Sequence, residues 1–397
     1  MENKMNQSKQ KRILLRAVII VVCLAGYIML VRVLNSVEKT EMVSMKGYSY
    51  QKAVVTEVVR DNLTEDGQRA GYQYLKVKLL TGQQKGNIYD ATSSEGNLFG
   101  AVCAAGDQVI VNISVSGDTT SVSVYSKDRI LQTAVFIGIF LLAICVIGGK
   151  NGVKSVIGLV FTFLSIVYLF MPMIYRGCSP FWSAVFVCVI TTIVTMYLIG
   201  GVSVKSAASV IGTTAGVVTA GIAASLFGLS ADIDGYNVSN IETLVYVGQN
   251  TKIQIGGLLF AGILIASLGA VMDVAMSVSS AICEIDAKTG NLTWTELFKS
   301  GLHVGRDMMG TMSNTLILAF VGGSLSTLVI DYAYNLPLIQ LINSYNIGIE
   351  IMQGIAGSLG VILTVPFVAL VTAVLLAERR KVKITQEFNK ALYVDFT

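Results

Sequence analysis

The feature that most limits this chain is a succession of apolar runs, each about long enough to cross a hydrocarbon core of about 30 Å. They fall at 17–34, 130–147, 155–174, 181–199, 206–228, 255–280, 308–330 and 352–377. This pattern predicts an α-helical integral membrane protein with about eight transmembrane helices, because a helix pairs its own backbone groups where water is absent. Charged residues make up only 14% of the 397 and mean hydropathy is +0.66. A soluble globular chain carries about 25% charged residues. The net charge of +4 is small and scattered, which argues against a nucleic-acid partner.

Charge placement orients the runs. Lys150 and Lys154 follow the second, Lys205 the fourth, Lys288, Lys299 and Arg306 the sixth, and ERRKVK (378–383) the eighth. The opposite connections hold Arg176 and Lys252 alone. By the positive-inside rule both termini are cytoplasmic. Residues 1–35 then form a basic tail and an uncleaved signal-anchor helix, since no small-residue cleavage pattern follows the run. Residues 130–380 form a seven-helix membrane domain, and 381–397 a cytoplasmic tail.

Residues 36–129 have a different character. Tyr72–Leu79 and Val109–Val115 alternate apolar and polar, the period of half-buried strands, with further strands near Ala53–Val59 and Val122–Tyr125. Asp66-Gly67, Thr81-Gly82, Gly106-Asp107 and Gly117-Asp118 mark the turns. About five short strands predict a small extracytoplasmic β-rich domain, an OB-like barrel or a sandwich. Of the six cysteines only Cys103 and Cys178 fall in segments placed outside, so a bridge between them is one option.

Within the apolar part, two polar stripes stand out. Asp273, Ser277 and Ser280 share one helical face, and Asp307, Thr311 and Asn314 share another beside Arg306. A charge in hydrocarbon costs at least about 2.5–3.5 kcal/mol, so both stripes are expected to face the bundle interior as an intramembrane site for an ion or solute, or as a structural Asp–Arg pair. Small residues repeat every four positions at Gly212, Gly216, Ala220 and Ala224, and again at Gly262, Ala266 and Ala270, which predicts close helix packing. Pro366 should kink the last span. In the sixth connection, Thr293 and Glu296 have capping-box spacing, and Trp294, Leu297, Phe298 and Leu302 share a face. That segment is expected as a short helix lying on the inner membrane surface.

Catalytic and metal motifs are not found. The lone His303 leaves no His-based triad or metal set, no CxxC exists, and GGKNGVKS lacks the Ser or Thr of a phosphate-binding loop. No enzyme, cofactor or metal is therefore expected. The strings GAVMDVAMS and GRDMMGTMSNTL, within a match running from about Gly148 through the last span, resemble the YibE/F family of bacterial multi-pass membrane proteins. That resemblance implies a location in the bacterial plasma membrane and supplies no substrate. The residues themselves suggest a permease or channel-like protein for a small solute or ion. The alternative is an envelope scaffold whose 36–129 domain binds another envelope component.

Overall fold

The computed structural model describes residues 24–44, 46–65, 67–94, 101–116, 119–238 and 240–394, with Val18 and Val22, and most side chains up to Lys381. The basic tail, where part of the cytoplasmic-terminus reading rests, lies outside the described residues. The chain divides into two compact units, residues 41–147 and the remainder.

In the first unit, five strands close into a barrel in the order β1-β2-β3-β5-β4. They are β1 (Tyr48–Arg60), β2 (Tyr72–Leu79), β3 (Ile88–Ser94), β4 (Gln108–Ser116) and β5 (Thr119–Lys127). Neighbours are antiparallel except β3 and β5, and β1 closes the barrel on β4. This is OB-like topology rather than a sandwich. Alternation produces it: Ala53, Val55, Leu75, Val77, Val109, Val111, Ile113, Val122 and Val124 point inward and are buried. β3 carries only Ala91 and Ser93 inward, so its sequence shows no apolar alternation. Buried Gln73 fastens the core, accepting from the Cys103 amide at 2.9 Å and donating to Asp61 at 2.8 Å. Cys103 and Cys178 are both free thiols.

The second unit is helical. Its elements are α1 (Leu24–Asn35), α2 (Ile130–Ser165), a π turn over Ile166–Phe170, α3 (Met171–Tyr175), α4 (Pro180–Gly200), α5 (Val204–Ser230) and α6 (Ile241–Asn250). They continue with α7 (Gly256–Thr289), α8 (Trp294–Gly323), α9 (Leu325–Ala333), α10 (Leu338–Ile342) and α11 (Tyr345–Val394). α2 starts in the first unit and bends at Gly149, whose φ of 54° a residue with a Cβ rarely adopts. Among the described residues, five helices are long and apolar enough to cross a membrane, and a sixth if α8 and α9 count as one bent span.

α5, α7 and α11 form the centre. At Gly212 a Cβ would collide with Val368, and at Gly216 with Thr364, so these glycines let α5 and α11 touch backbone to backbone. Ala220 and Ala224 are fully buried on the same stripe. The second expected stripe is corrected. Gly262 has open space where a Cβ would stand, Ala266 is exposed, and only Ala270 touches the core. The inward face of α7 carries Val271, Val274, Val278 and Ile282 instead.

One further expectation changes. The segment expected to lie on the membrane surface is the first part of α8. Its capping box forms, Glu296 N–H donating to Thr293 Oγ1 and Thr293 N–H to Glu296 Oε2. Leu297 is nevertheless fully buried, and Gly301 packs on Ile282 and Ala369. The amphipathic face found a protein surface to cover it. α11 extends on both sides of Pro366, where the proline removes one backbone donor.

Polar side chains tie the ends. Arg176 donates through Nε to Leu34 O at 3.1 Å and through Nη2 to Val33 O, capping the C-terminus of α1. Asn35 donates to Tyr168 O in the π turn at 2.8 Å, and Tyr27 shares a hydrogen bond with Ser165. α1 is thus a packed member of the helical unit. At the opposite end Arg380 pairs with Asp286 and donates to Leu292 O, joining α11 to the α7–α8 turn.

Candidate functional site

The expected intramembrane stripes do not face inward. Asp273, Arg306, Asp307, Thr311 and Asn314 are all exposed on the outside of the bundle, and Ser277 and Ser280 are half-buried. No Asp273–Arg306 pair forms among the described residues. Helical phase is the reason. With 100° per residue, Asp273 lies nearly opposite the Val271–Val278–Ile282 face that packs on α5 and α11. On α8, Gly301, Gly305 and Leu316 take the inward face, which turns Asp307 and Asn314 away.

The interior holds hydroxyl groups instead, several of them hydrogen-bonded, while those of Ser183 and Thr213 have no partner among the described residues. Ser209 of α5 and Ser279 of α7 are 2.7 Å apart. Thr191, Thr192, Thr364 and Thr372 donate to carbonyls three or four residues back on their own helices. A small gap beside Cys188, Thr192 and Thr213 leaves no room for a water molecule. Around these hydroxyls the helices are closely packed.

An open polar pocket of about 320 Å³ lies at the end of the bundle where α8 stops. Gly322, Gly323 and Ser324 break the span there: Ser324 N–H caps the Phe320 and Val321 carbonyls, and α9 resumes at an angle of 61°. Glycine and serine together are a common cause of such a kink. Ser324 and Thr327 line the pocket from the break, Asn237 from the α5–α6 connection, and Asn346, Glu350 and Gln353 from α11. The last three recur at i, i+4 and i+7, one face of a helix. Leu259 and Ile349 make an apolar floor over a core cluster with Ile233, Ile263 and Met352.

What distinguishes this pocket is its unpaired chemistry. Among the described residues, none of the six polar side chains makes a hydrogen bond or ion pair within the protein. They face a cavity, unlike the hydroxyls of the packed centre. Among the described residues that line it, Glu350 is the only ionisable one.

The sequence profile of the YibE/F-like proteins matches residues 136–378, well over half of the chain. The chain belongs to the YibE/F family. No curated protein and no solved structure matches it. In this family member the matched region contains the packed centre, the broken α8–α9 span and the pocket. Sequence reading missed the pocket because it took 308–330 as one continuous run; Gly-Gly-Ser inside that run, and the Asn346–Glu350–Gln353 stripe just before the next, were the available signals.

Proposed function

We propose that this is a multi-pass protein of the bacterial plasma membrane that transports a small solute or ion, with the pocket at the α8–α9 break as its extracytoplasmic binding site. In this reading α1, the two halves of α2 either side of Gly149, α4, α5, α7, the α8–α9 pair and α11 make eight spans. Both termini are cytoplasmic and residues 36–129 lie outside. The observation that carries the reading is the broken span beside a polar pocket. Discontinuous helices in transporters place free backbone and polar groups at the substrate site, and irregular backbone within a bilayer is tolerated only where protein or a water-filled cavity covers it. α9 has no buried residue, so it can shift relative to α11 at little packing cost. The exposed Asp273 and Asp307 stripes are outside this site. No catalytic step belongs to the reading.

The test is flux. Purified full-length protein in proteoliposomes should carry at least one member of a panel of small cations, amines, amino acids and polyols, measured by stopped-flow light scattering and radiotracer uptake. A variant with Gly322→Leu and Gly323→Leu, which favours a straight helix, should lose most of that flux. Proteoliposomes as tight as protein-free vesicles across the panel would refute it.

One observation favours a second reading, a scaffold. The barrel has an open groove of about 640 Å³ lined by Arg60, Tyr74, Asp90, Thr92 and Ser121, with the Arg60 guanidinium 5.1 Å from the Tyr74 ring centre. Stacked Arg and Tyr are common at binding surfaces. A photocrosslinker at Tyr74 in intact cells should give a discrete adduct with another envelope component under this reading, and none under transport alone.

A further inference from the structure

We infer that the pocket at the α8–α9 break binds a small protonated amine, with Glu350 as its charged anchor. This deepens the transport reading, on which it rests for the pocket's role as a substrate site.

The lining is rich in acceptors. It offers the Glu350 carboxylate, the side-chain carbonyls of Asn237, Asn346 and Gln353, and the hydroxyls of Ser324 and Thr327, none engaged within the protein among the described residues. An ammonium group brings three donors and no acceptor, so it complements this set. With no Lys, Arg or His in the lining, an anion would meet Glu350 unopposed. The α8 C-terminus, with its partial negative charge, also ends at the pocket. The N-termini of α9 and α11 act in the opposite sense, but each amounts to about half a charge and fades within a turn, less than a full carboxylate.

The surrounding end of the bundle has the same sign. The loops and short helices there carry Asp232, Asp234, Glu242 and Asp331 against Arg176 and Lys252. A concave site with that bias concentrates cations.

Size and ligand chemistry select among cations. About 320 Å³ is roughly ten times the volume of a water molecule in the liquid, far more than a bare ion fills. A chelated divalent metal uses several oxygen ligands, usually more than one carboxylate, and among the described residues no group of three His, Cys, Asp or Glu side chains could hold one. The apolar floor of Leu259 and Ile349 suits a short hydrocarbon portion beside the ammonium.

The experiment uses full-length protein in detergent, titrated with ethanolammonium by calorimetry and by thermal shift. Propane-1,2-diol, acetate, sodium and magnesium are the comparison probes. Saturable binding of ethanolammonium is expected, weakened about tenfold or more by Glu350→Gln and unchanged by Glu57→Gln in the barrel. Asn346→Lys, which places a fixed ammonium in the pocket, should also abolish binding and covers the case in which Glu350→Gln fails to fold. Absence of saturable ethanolammonium binding, equal binding by Glu350→Gln, or tighter binding of acetate or the diol would each overturn the inference. Amine binding without flux in proteoliposomes would keep this site and refute transport; flux of another solute without amine binding would do the reverse.

Discussion

At the scale of single residues, the same chemical type does opposite things according to helical phase. Gly216 is buried against Thr364, Val271 and the Gly360 carbonyl, so Gly216→Leu should overpack the α5–α11 contact. A cost of about 1–3 kcal/mol or more is expected, read as a lower melting temperature and poorer recovery of monodisperse protein in detergent. Gly262, with open space beside it, should tolerate alanine. Asp273 illustrates the converse. A buried Asp–Arg pair would make Asp273→Asn strongly destabilising, but the exposed Asp273 carboxylate has no ion-pair partner among the described residues. Asp273→Asn should therefore not lower the melting temperature, since it breaks no ion pair among the described residues and replaces a charge that is costly beside hydrocarbon. A large drop would mean that Asp273 is paired in the membrane after all.

Among the elements, the barrel was easier to read than the helix break. Four of its strands announce themselves by alternation, whereas β3 depends on its neighbours β2 and β5. Its carboxylates also define its pH response. Hydrogen bonds from Gln73 and Arg69 hold Asp61 below its ordinary 3.8, and Lys127 and Lys52 do the same for Asp107 and Asp128. A carboxylate with a lowered folded-state pKa contributes stability that is present above the unfolded value and lost as pH falls through the folded one. Residues 38–128 expressed alone should thus melt cooperatively with a β-type circular dichroism spectrum at pH 7. Their melting temperature should fall steadily on acidification below about pH 4, near the unfolded aspartate value. A pH-independent melt between 7 and 2.5 would argue against these pairs. In α8, by contrast, hydropathy runs smoothly through Gly322-Gly323-Ser324, because Phe320, Val321 and Leu325 flank it. Hydropathy measures transfer from water and is indifferent to backbone direction.

For the whole molecule, the decisive measurement is topology. Single cysteines at Ser94 and Asn335 in a cysteine-free background should react with an impermeant thiol reagent in intact cells. Cysteines at Lys288 and Lys383 should react only after permeabilisation. Labelling at position 288 from outside would mean the span count is wrong. The contacts of α1 bear on the same question: Tyr27, Asn35 and the carbonyls of Val33 and Leu34 are engaged by Ser165, Tyr168 and Arg176. Retention of this helix in the mature chain, read by N-terminal sequencing, is the expected outcome.

Local composition and period suffice for the apolar helices, the alternating strands of a separate β domain, the Thr293 cap and the Gly212–Ala224 packing stripe. Which face of each helix the bundle covers depends on long-range packing. Burial of Val271, Val274 and Ile282 turned Asp273 outward, and burial of Leu297 and Gly301 drew a surface-like helix into the core. The pocket depended on it most of all, since Asn237, Ser324 and Glu350 belong to three separate stretches of chain and share a cavity only because α8 breaks beside the first turns of α11. Period reports that a helix has two faces; which of them meets a neighbour is set by shape complementarity across the whole bundle.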